Sequence, residues 1–423
     1  HQVGGLEPHG LVADASERPL RRPIRWRRVR QRQLLGHARG TVLGELGRDE
    51  DVALLEDVDL ALVAVLRVHG RPVAVRRSLH DAARALQFVR SKAAEWNLDK
   101  TRVGCLIGTG MGGLTSLMNS YDILLERGPS RISPHMVTQI MPNGPAAIVG
   151  LEVGARAGVH GLVSACASGA EAVSYAARMI QTGRADVVIC GGTEAVIHPI
   201  TMAGFASMRA LSTRNDDPAA SSRPYDIDRD GFVMGEGAGV LVLESAEFAA
   251  ARGATVLGIY GGSGLTSDGH HIAQPDPEGL GAARAVRFAI EDAGLTTTDI
   301  VHVNAHATST PQGDIAESTA IRAALGDHTD NVVVTGTKSM TGHLLGGAGA
   351  IESIFSVLAL RDRLVPPTAN LHNLDPAVNL DVARDKPREL PSGDIAAVNN
   401  SFGFGGHDVA LVLRFSTTVL DVA

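Results

Sequence analysis

Val163-Ser164-Ala165-Cys166-Ala167-Ser168-Gly169-Ala170 is the stretch on which the reading of this chain turns. A short apolar run leads into it, small residues build it, and residues 165–180 leave it with apolar side chains at helical spacing. A strand, a tight turn and a helix in that order make the repeating unit of an α/β sheet protein. Working outward, residues 103–107, 187–189, 237–244, 300–303, 332–335 and 395–398 read as short buried strands. Residues 82–96, 282–293 and 346–360 read as helices, the last rich in glycine and alanine. The expectation is an α/β fold of sheets covered by helical layers. A weak twofold echo runs through it, with reactive-looking turns after strands near residues 166 and 306.

The 423 residues are 44% apolar and 20% charged, which excludes collagen-like and wholly disordered chains. A formal charge of −7 argues against a dedicated nucleic-acid binder. The three cysteines, Cys105, Cys166 and Cys190, are too few for a disulfide framework and point to a reducing compartment. No apolar run approaches the roughly 20 residues of a membrane helix, and no export signal opens the chain. The chain therefore reads as cytoplasmic. Residues 1–80 stand apart: 14 Arg, no Lys and 10 acids give them a charge of +4. They read either as a basic arm for an acidic partner or as a poorly ordered or misframed segment, and the lack of a sustained period favours the second. Within them, residues 52–68 have the composition for one strand or helix.

Four segments carry candidate chemistry. Cys166 sits on a turn at a helix start, where aligned peptide dipoles favour a thiolate. An isolated cysteine is also commonly an inert buried residue, so the turn alone leaves both readings open. His306 lies in Asn304-Ala305-His306-Ala307-Thr308-Ser309-Thr310-Pro311 directly after a strand, well placed for acid–base work, although a lone histidine is more often a satisfied structural residue. Thr308 and Thr310 add hydroxyls for a polar substrate arm. Lys338 and His343 lie in Thr337-Lys338-Ser339-Met340-Thr341-Gly342-His343 before the small-residue helix, and Glu352 within that helix is a partner for Lys338. The following glycines lack a phosphate-loop pattern. Ser401-Phe402-Gly403-Phe404-Gly405-Gly406-His407 makes a mobile loop whose N–H groups could serve as oxyanion donors. Gly108, Gly110 and Gly113 fit a dinucleotide fingerprint only loosely and read as a pocket-lining loop. Sixteen histidines include no metal-binding spacing, so neither metal nor cofactor is expected.

As a set, in this order, these segments resemble the β-ketoacyl-acyl-carrier-protein synthases, condensing enzymes of the thiolase fold, and most closely the elongating type II synthases. Cys190-Gly191-Gly192-Thr193-Glu194, the run from Phe205 to Arg214, Arg223-Pro224-Tyr225-Asp226 and Asp230 to Gly237 match as well, and the likeness covers roughly residues 84–415. It implies a duplicated fold in five layers, α-β-α-β-α, with an N-terminal half at 81–255 and a C-terminal half at 256–423. It implies a homodimer and decarboxylative condensation of an acyl thioester with malonyl-acyl-carrier protein. In that scheme Cys166 is the nucleophile, His306 and His343 hold the malonyl thioester, and Phe404 supplies an oxyanion donor and a gate. Lys338 and Glu352 order His306 and its surroundings, with Asp314 as structural support; Thr308, Thr310 and Phe402 line the substrate path, and Arg209 meets the acidic carrier protein. Biosynthetic thiolases normally add a second catalytic cysteine, and none follows Cys190. A polyketide ketosynthase and a non-catalytic chain-length partner subunit are the alternatives. Two departures stand out. Residues 1–80 show no opening strand of the family type, and Asp408 stands where the family usually has Asn.

Overall fold

The computed structural model describes residues 62–67 and 99–416. The Arg-rich segment outside 62–67 and the helix expected at 82–96 lie outside the described residues. The strands are β1 (Leu62–Arg67), β2 (Val103–Gly108), β3 (Gly158–Leu162), β4 (Val187–Glu194), β5 (Glu236–Glu244), β6 (Ile259–Ser267), β7 (Ile300–Asn304), β8 (Val333–Thr335), β9 (Leu364–Val365), β10 (Arg388–Glu389), β11 (Ile395–Gly403) and β12 (His407–Phe415). The helices are α1 (Leu114–Arg127), α2 (Met136–Ile140), α3 (Gly144–Val153), α4 (Ser168–Gln181), α5 (Pro199–Ser207), α6 (Ala246–Ala251), α7 (Leu280–Asp292), α8 (Pro311–Leu325), α9 (Lys338–Thr341) and α10 (Ala348–Asp362).

Two five-stranded sheets run in the orders β1-β5-β4-β2-β3 and β6-β12-β11-β7-β8. Counted from the first strand of each, both read 1-5-4-2-3, so the duplication is written in the topology. In each sheet the second strand is parallel to the third and fourth, while the fifth is antiparallel to the fourth and to the first. The expectation of no opening strand is corrected here. Leu62–Arg67 pairs with β5 from Leu62↔Leu241 to Arg67↔Glu236 and takes the place that β6 holds in the second sheet.

Burial accounts for the layers. The outer face of the first sheet presents Val103, Cys105, Ile107, Val187 and Ile189 to Ala146, Val149 and Val153 of α3. Its inner face presents Leu106, Val188 and Cys190 to α4, to Ala350 and Ile354 of α10, and through them to Val409 and Leu411 of β12. The far face of the second sheet packs Val303, Val398 and Val412 on α7 and α8. The result is the α-β-α-β-α arrangement. The two central helices touch through glycines: a Cβ on Gly169 would lie 2.8 Å from the carbonyl oxygen of Gly346, and one on Gly349 2.8 Å from Ala170 Cβ. The small residues of residues 346–360 are there to let these backbones meet.

Strands β6 and β12 escape the sequence reading. Ile259–Ser267 carries three glycines that break any alternation, because Gly262 and Gly264 face the backbone of α7 too closely for a side chain. Among the described residues no helix is long and apolar enough to cross a membrane.

Candidate active site

The turn after β3 carries Cys166. Ala165 adopts φ 49°, a left-handed conformation unusual for alanine, and the chain is held in it by Ser168. The Ser168 hydroxyl accepts from Ser164 N–H at 2.9 Å and donates to the Ala165 carbonyl at 2.6 Å. Cys166 is 8% exposed and packs among Phe205, Phe232, Met234 and Leu345. The β11–β12 hairpin lies against this turn. A Cβ on Gly403 would lie 2.5 Å from the Ser164 carbonyl and 3.2 Å from Cys166 N, so only glycine permits the approach. The N–H groups of Phe404 and of Cys166 itself both act on the Cys166 sulfur and favour its charged form.

His306 follows β7 in a turn fixed by a residue the sequence reading missed. Glu317 of α8 accepts from His306 N–H and Ala307 N–H, each at 2.7 Å, one on each carboxylate oxygen, and from Asn400 Nδ2 at 3.0 Å. Ala307 and Ser309 have φ of 33° and 71°, which this clamp sustains. The available signal was a pair of acids one turn apart, Asp314 and Glu317, within the apolar stripe of a helix, beside Ala316, Ala320 and Ile321. Asp314 holds the other end, accepting from Ser309 N–H at 3.1 Å and Tyr225 N–H at 2.8 Å, with Arg229 Nε at 3.4 Å. Burial pushes its carboxyl up to about 7 against those partners.

His343 is stitched to the segment at 233–235: its N–H donates to the Val233 carbonyl at 2.7 Å, and its carbonyl accepts from Gly235 N–H at 2.9 Å. Lys338 is buried and its Nζ lies 2.5 Å from Glu352 Oε1. Glu194 at the end of β4 is a second missed residue. It accepts from Thr109 Oγ1, Gly110 N–H, Met111 N–H and Gly346 N–H, tying the 108–113 loop to the loop before α10. The glycine loop is thus pocket-lining, with Gly110 and Met111 on the cavity wall.

These turns surround a cavity of about 820 Å³ lined by Cys166, His306, His343, Phe402, Phe404, Thr308, Thr310 and Arg209 among others. The imidazoles of His306 and His343 meet edge to face, with ring centroids 5.3 Å apart. His343 abuts Phe232 at 5.4 Å, and His306 abuts Phe402 at 5.6 Å. Lys338, Glu352 and Asp314 stand behind the wall rather than on it. Cys105 and Cys190 are buried in β2 and β4, away from the cavity. Matching the sheets strand for strand revises the twofold echo. The Cys166 turn after β3 corresponds to the turn after β8 that leads to His343, and the His306 turn after β7 corresponds to the glycine loop after β2.

The electrostatics are those of a buried site. Burial lowers the pKa of His306 well below the usual imidazole range, and the Lys338 charge and His343 add to it; burial and Lys338 do the same to His343. Both rings are neutral, and each has one N–H to donate. Burial also pushes the Cys166 thiol up to about 12, against the pull of Lys338 and the two N–H groups. This differs from the standing thiolate expected from the helix start. Cys166 precedes α4 by two residues and is desolvated by the aromatic cluster around it.

The family model for the β-ketoacyl synthase N-terminal domain matches residues 73–249, and that for the C-terminal domain matches 257–372. A 3-oxoacyl-[acyl-carrier-protein] synthase 2 of Synechocystis is 49% identical over 317 residues, 75% of this chain and 76% of the relative. One of the same name from Mycobacterium tuberculosis H37Rv is 52% identical over 315 residues, 74% of this chain and 75% of the relative. Among solved structures, a type II polyketide acyl-carrier protein in complex with its ketosynthase superposes with a TM-score of 0.76 at 30% identity, covering 81% of this chain and 85% of that one. A β-ketoacyl synthase from Burkholderia phymatum gives 0.72 at 34% identity, covering 82% and 86%.

Proposed function

The chain belongs to the β-ketoacyl synthase family, and from that premise we propose that Cys166, His306 and His343 carry a decarboxylative condensation that lengthens an acyl chain by two carbons. The chain is an acyltransferase of the 3-oxoacyl-acyl-carrier-protein synthase kind. The single observation supporting the residue assignment is that one thiol and two neutral imidazoles face the same cavity.

Cys166 Sγ attacks the carbonyl of an acyl group carried as a thioester by acyl carrier protein. The thiol proton ends on the departing carrier thiol. Charge on the carbonyl oxygen is met by the N–H groups of Cys166 and Phe404. A malonyl thioester then enters, and His306 and His343 each donate a hydrogen bond to its carbonyl. The bond to the carboxylate breaks, carbon dioxide leaves, and the electron pair becomes an enolate held by those donors. The enolate carbon attacks the acyl-Cys166 carbonyl, and collapse expels the sulfur as a thiolate that takes a proton from solvent. Neutral rings suit this chemistry, because the carbonyl needs donors and no net proton. Thr308 and Thr310, whose hydroxyls lie 3.0 Å apart, line the route for the carrier's arm, and Phe402 borders it. Arg209 is exposed at the cavity mouth and supports docking of an acidic carrier.

Identities near 50% to the fatty-acid type favour this reading over a polyketide ketosynthase, and the presence of Cys166 disfavours a non-catalytic chain-length subunit. The dimer expected from sequence is supported by β3, an edge strand whose only strand partner among the described residues is β2. Val159, Val163, Ile148 and Leu151 are exposed apolar side chains on and around it. Three free cysteines support the cytoplasm as compartment.

His343→Ala should retain acylation of Cys166 and lose malonyl decarboxylation by about 10²–10³. Equal loss of both steps, measured by intact mass and carbon dioxide release, would overturn its assignment.

A further inference from the structure

The turn that carries Phe404 is fastened to the segment following β6. Gly405 N–H donates to the Ile272 carbonyl at 2.8 Å, and Asp268 N–H donates to the Gly406 carbonyl at 3.0 Å. Gly405 and Gly406 have φ of 91° and 76°, so the turn is built from residues free to rearrange. Directly beneath it, Asp408 is the second paired residue of β12, opposite Thr266, and its side chain is buried. No N–H or O–H donor of the described residues reaches its Oδ2. The group that faces it across the space over Gly281 is another carboxyl, that of Asp268. Gly281, in the first turn of α7, closes the site, for a Cβ there would collide with both Asp268 Oδ1 and Asp408 Oδ2. Two carboxyl groups in such contact bond only when one of them carries a proton.

We propose that Asp408 and Asp268 form a proton-sharing pair that latches the Phe404 turn against the nucleophile and releases it as the shared proton is lost. Asp408 is on this view a positioning residue. It acts through the turn, by keeping the Phe404 N–H on Cys166. The inference rests on the donor role proposed for Phe404.

The surroundings set the direction. Asp268 faces Asp408 from the end of β6, Asp276 from the segment leading into α7, and Arg284 from α7 itself. Arg284 gives its Nη2 to the Ser267 carbonyl at 3.1 Å, while Asp268 Oδ2 accepts from Asp276 N–H at 3.0 Å. His407 precedes Asp408 on β12, and His271 lines the cavity from the 268–279 segment. Burial first, then the Asp268 and Asp276 charges, push the Asp408 carboxyl up to about 8, with Arg284 opposing. A carboxyl freed to solvent titrates near about 3.9. The latched state therefore holds a proton the open state does not. Latching weakens about tenfold for each pH unit between those two values and changes no further above the upper one.

The test is hydrogen exchange of the backbone amides at 403–407 in the full chain between pH 6 and 9, corrected for the intrinsic rate. Wild-type protection should fall about tenfold per pH unit up to roughly pH 8. Asp408→Asn supplies a donor that does not titrate, and its protection should stay level across the range. Should that variant fold poorly, Asp268→Asn offers the same bond with the roles reversed and the same level profile. In parallel, the ratio of wild-type to variant acylation rates should decline with pH, the thiol's own titration cancelling in the ratio. Identical pH profiles for wild type and a folded variant would overturn the latch. The exchange measurement needs no turnover, so a silent enzyme with a titrating latch would count against the proposed chemistry and leave the latch standing.

Discussion

Cys166 shows how far a residue's chemistry departs from its local sequence. Its turn at a helix start favours a thiolate, yet desolvation by Phe205, Phe232 and their neighbours raises the thiol to about 12. The N–H groups of Cys166 and Phe404 therefore act on charge that develops during attack. Alkylation of Cys166 by iodoacetamide should accelerate with pH, close to tenfold per unit, without levelling off by pH 9. A plateau near neutrality would show that the helix and Lys338 dominate. The cysteine and both histidines were legible because each sits in a distinctive string of neighbours. Glu317 and Glu194 were not, since an acid inside a helix or at a strand end usually marks a solvated face. Only the fold brings the free N–H groups of distant turns onto their carboxylates.

At the scale of elements, the parallel strands and central helices could be read from short apolar runs and helical spacing. The antiparallel strands β6 and β12 could not. Glycine disrupts the alternation in one, and the other was hidden behind the chemical interest of the loop before it. The opening strand was legible only as a strand or helix somewhere in 52–68, because its arginine-rich setting gave no sustained period to decide between them. The β11–β12 hairpin is the element on which the site depends most closely, because Gly403 lets it lie on the nucleophile turn. Gly403→Ala should cost at least about tenfold in acylation rate, as a Cβ there displaces either the hairpin or the Ser164 carbonyl. The melting curve by circular dichroism should stay cooperative. Normal acylation by this variant would refute the close approach.

For the molecule as a whole, two sheets of one topology stack on either side of α4 and α10, and chemistry collects where the turns of both converge. Cys166 comes from the first sheet's turns, His306 and His343 from the second's, and Glu194 bridges the two sets. The edge strand β3 leaves apolar side chains uncovered. Light scattering should give twice the 44.2 kDa chain mass, and Val159→Glu should halve it. A wild-type monomer would exclude pairing through β3. The central claim is that this cavity holds an acyl group on one sulfur. Intact-mass spectrometry after incubation with an acyl-loaded carrier protein measures it directly. The expected result is a gain of one acyl group, mapped to Cys166 and abolished in Cys166→Ala. No gain in folded wild-type protein, or the same gain in the variant, would contradict it.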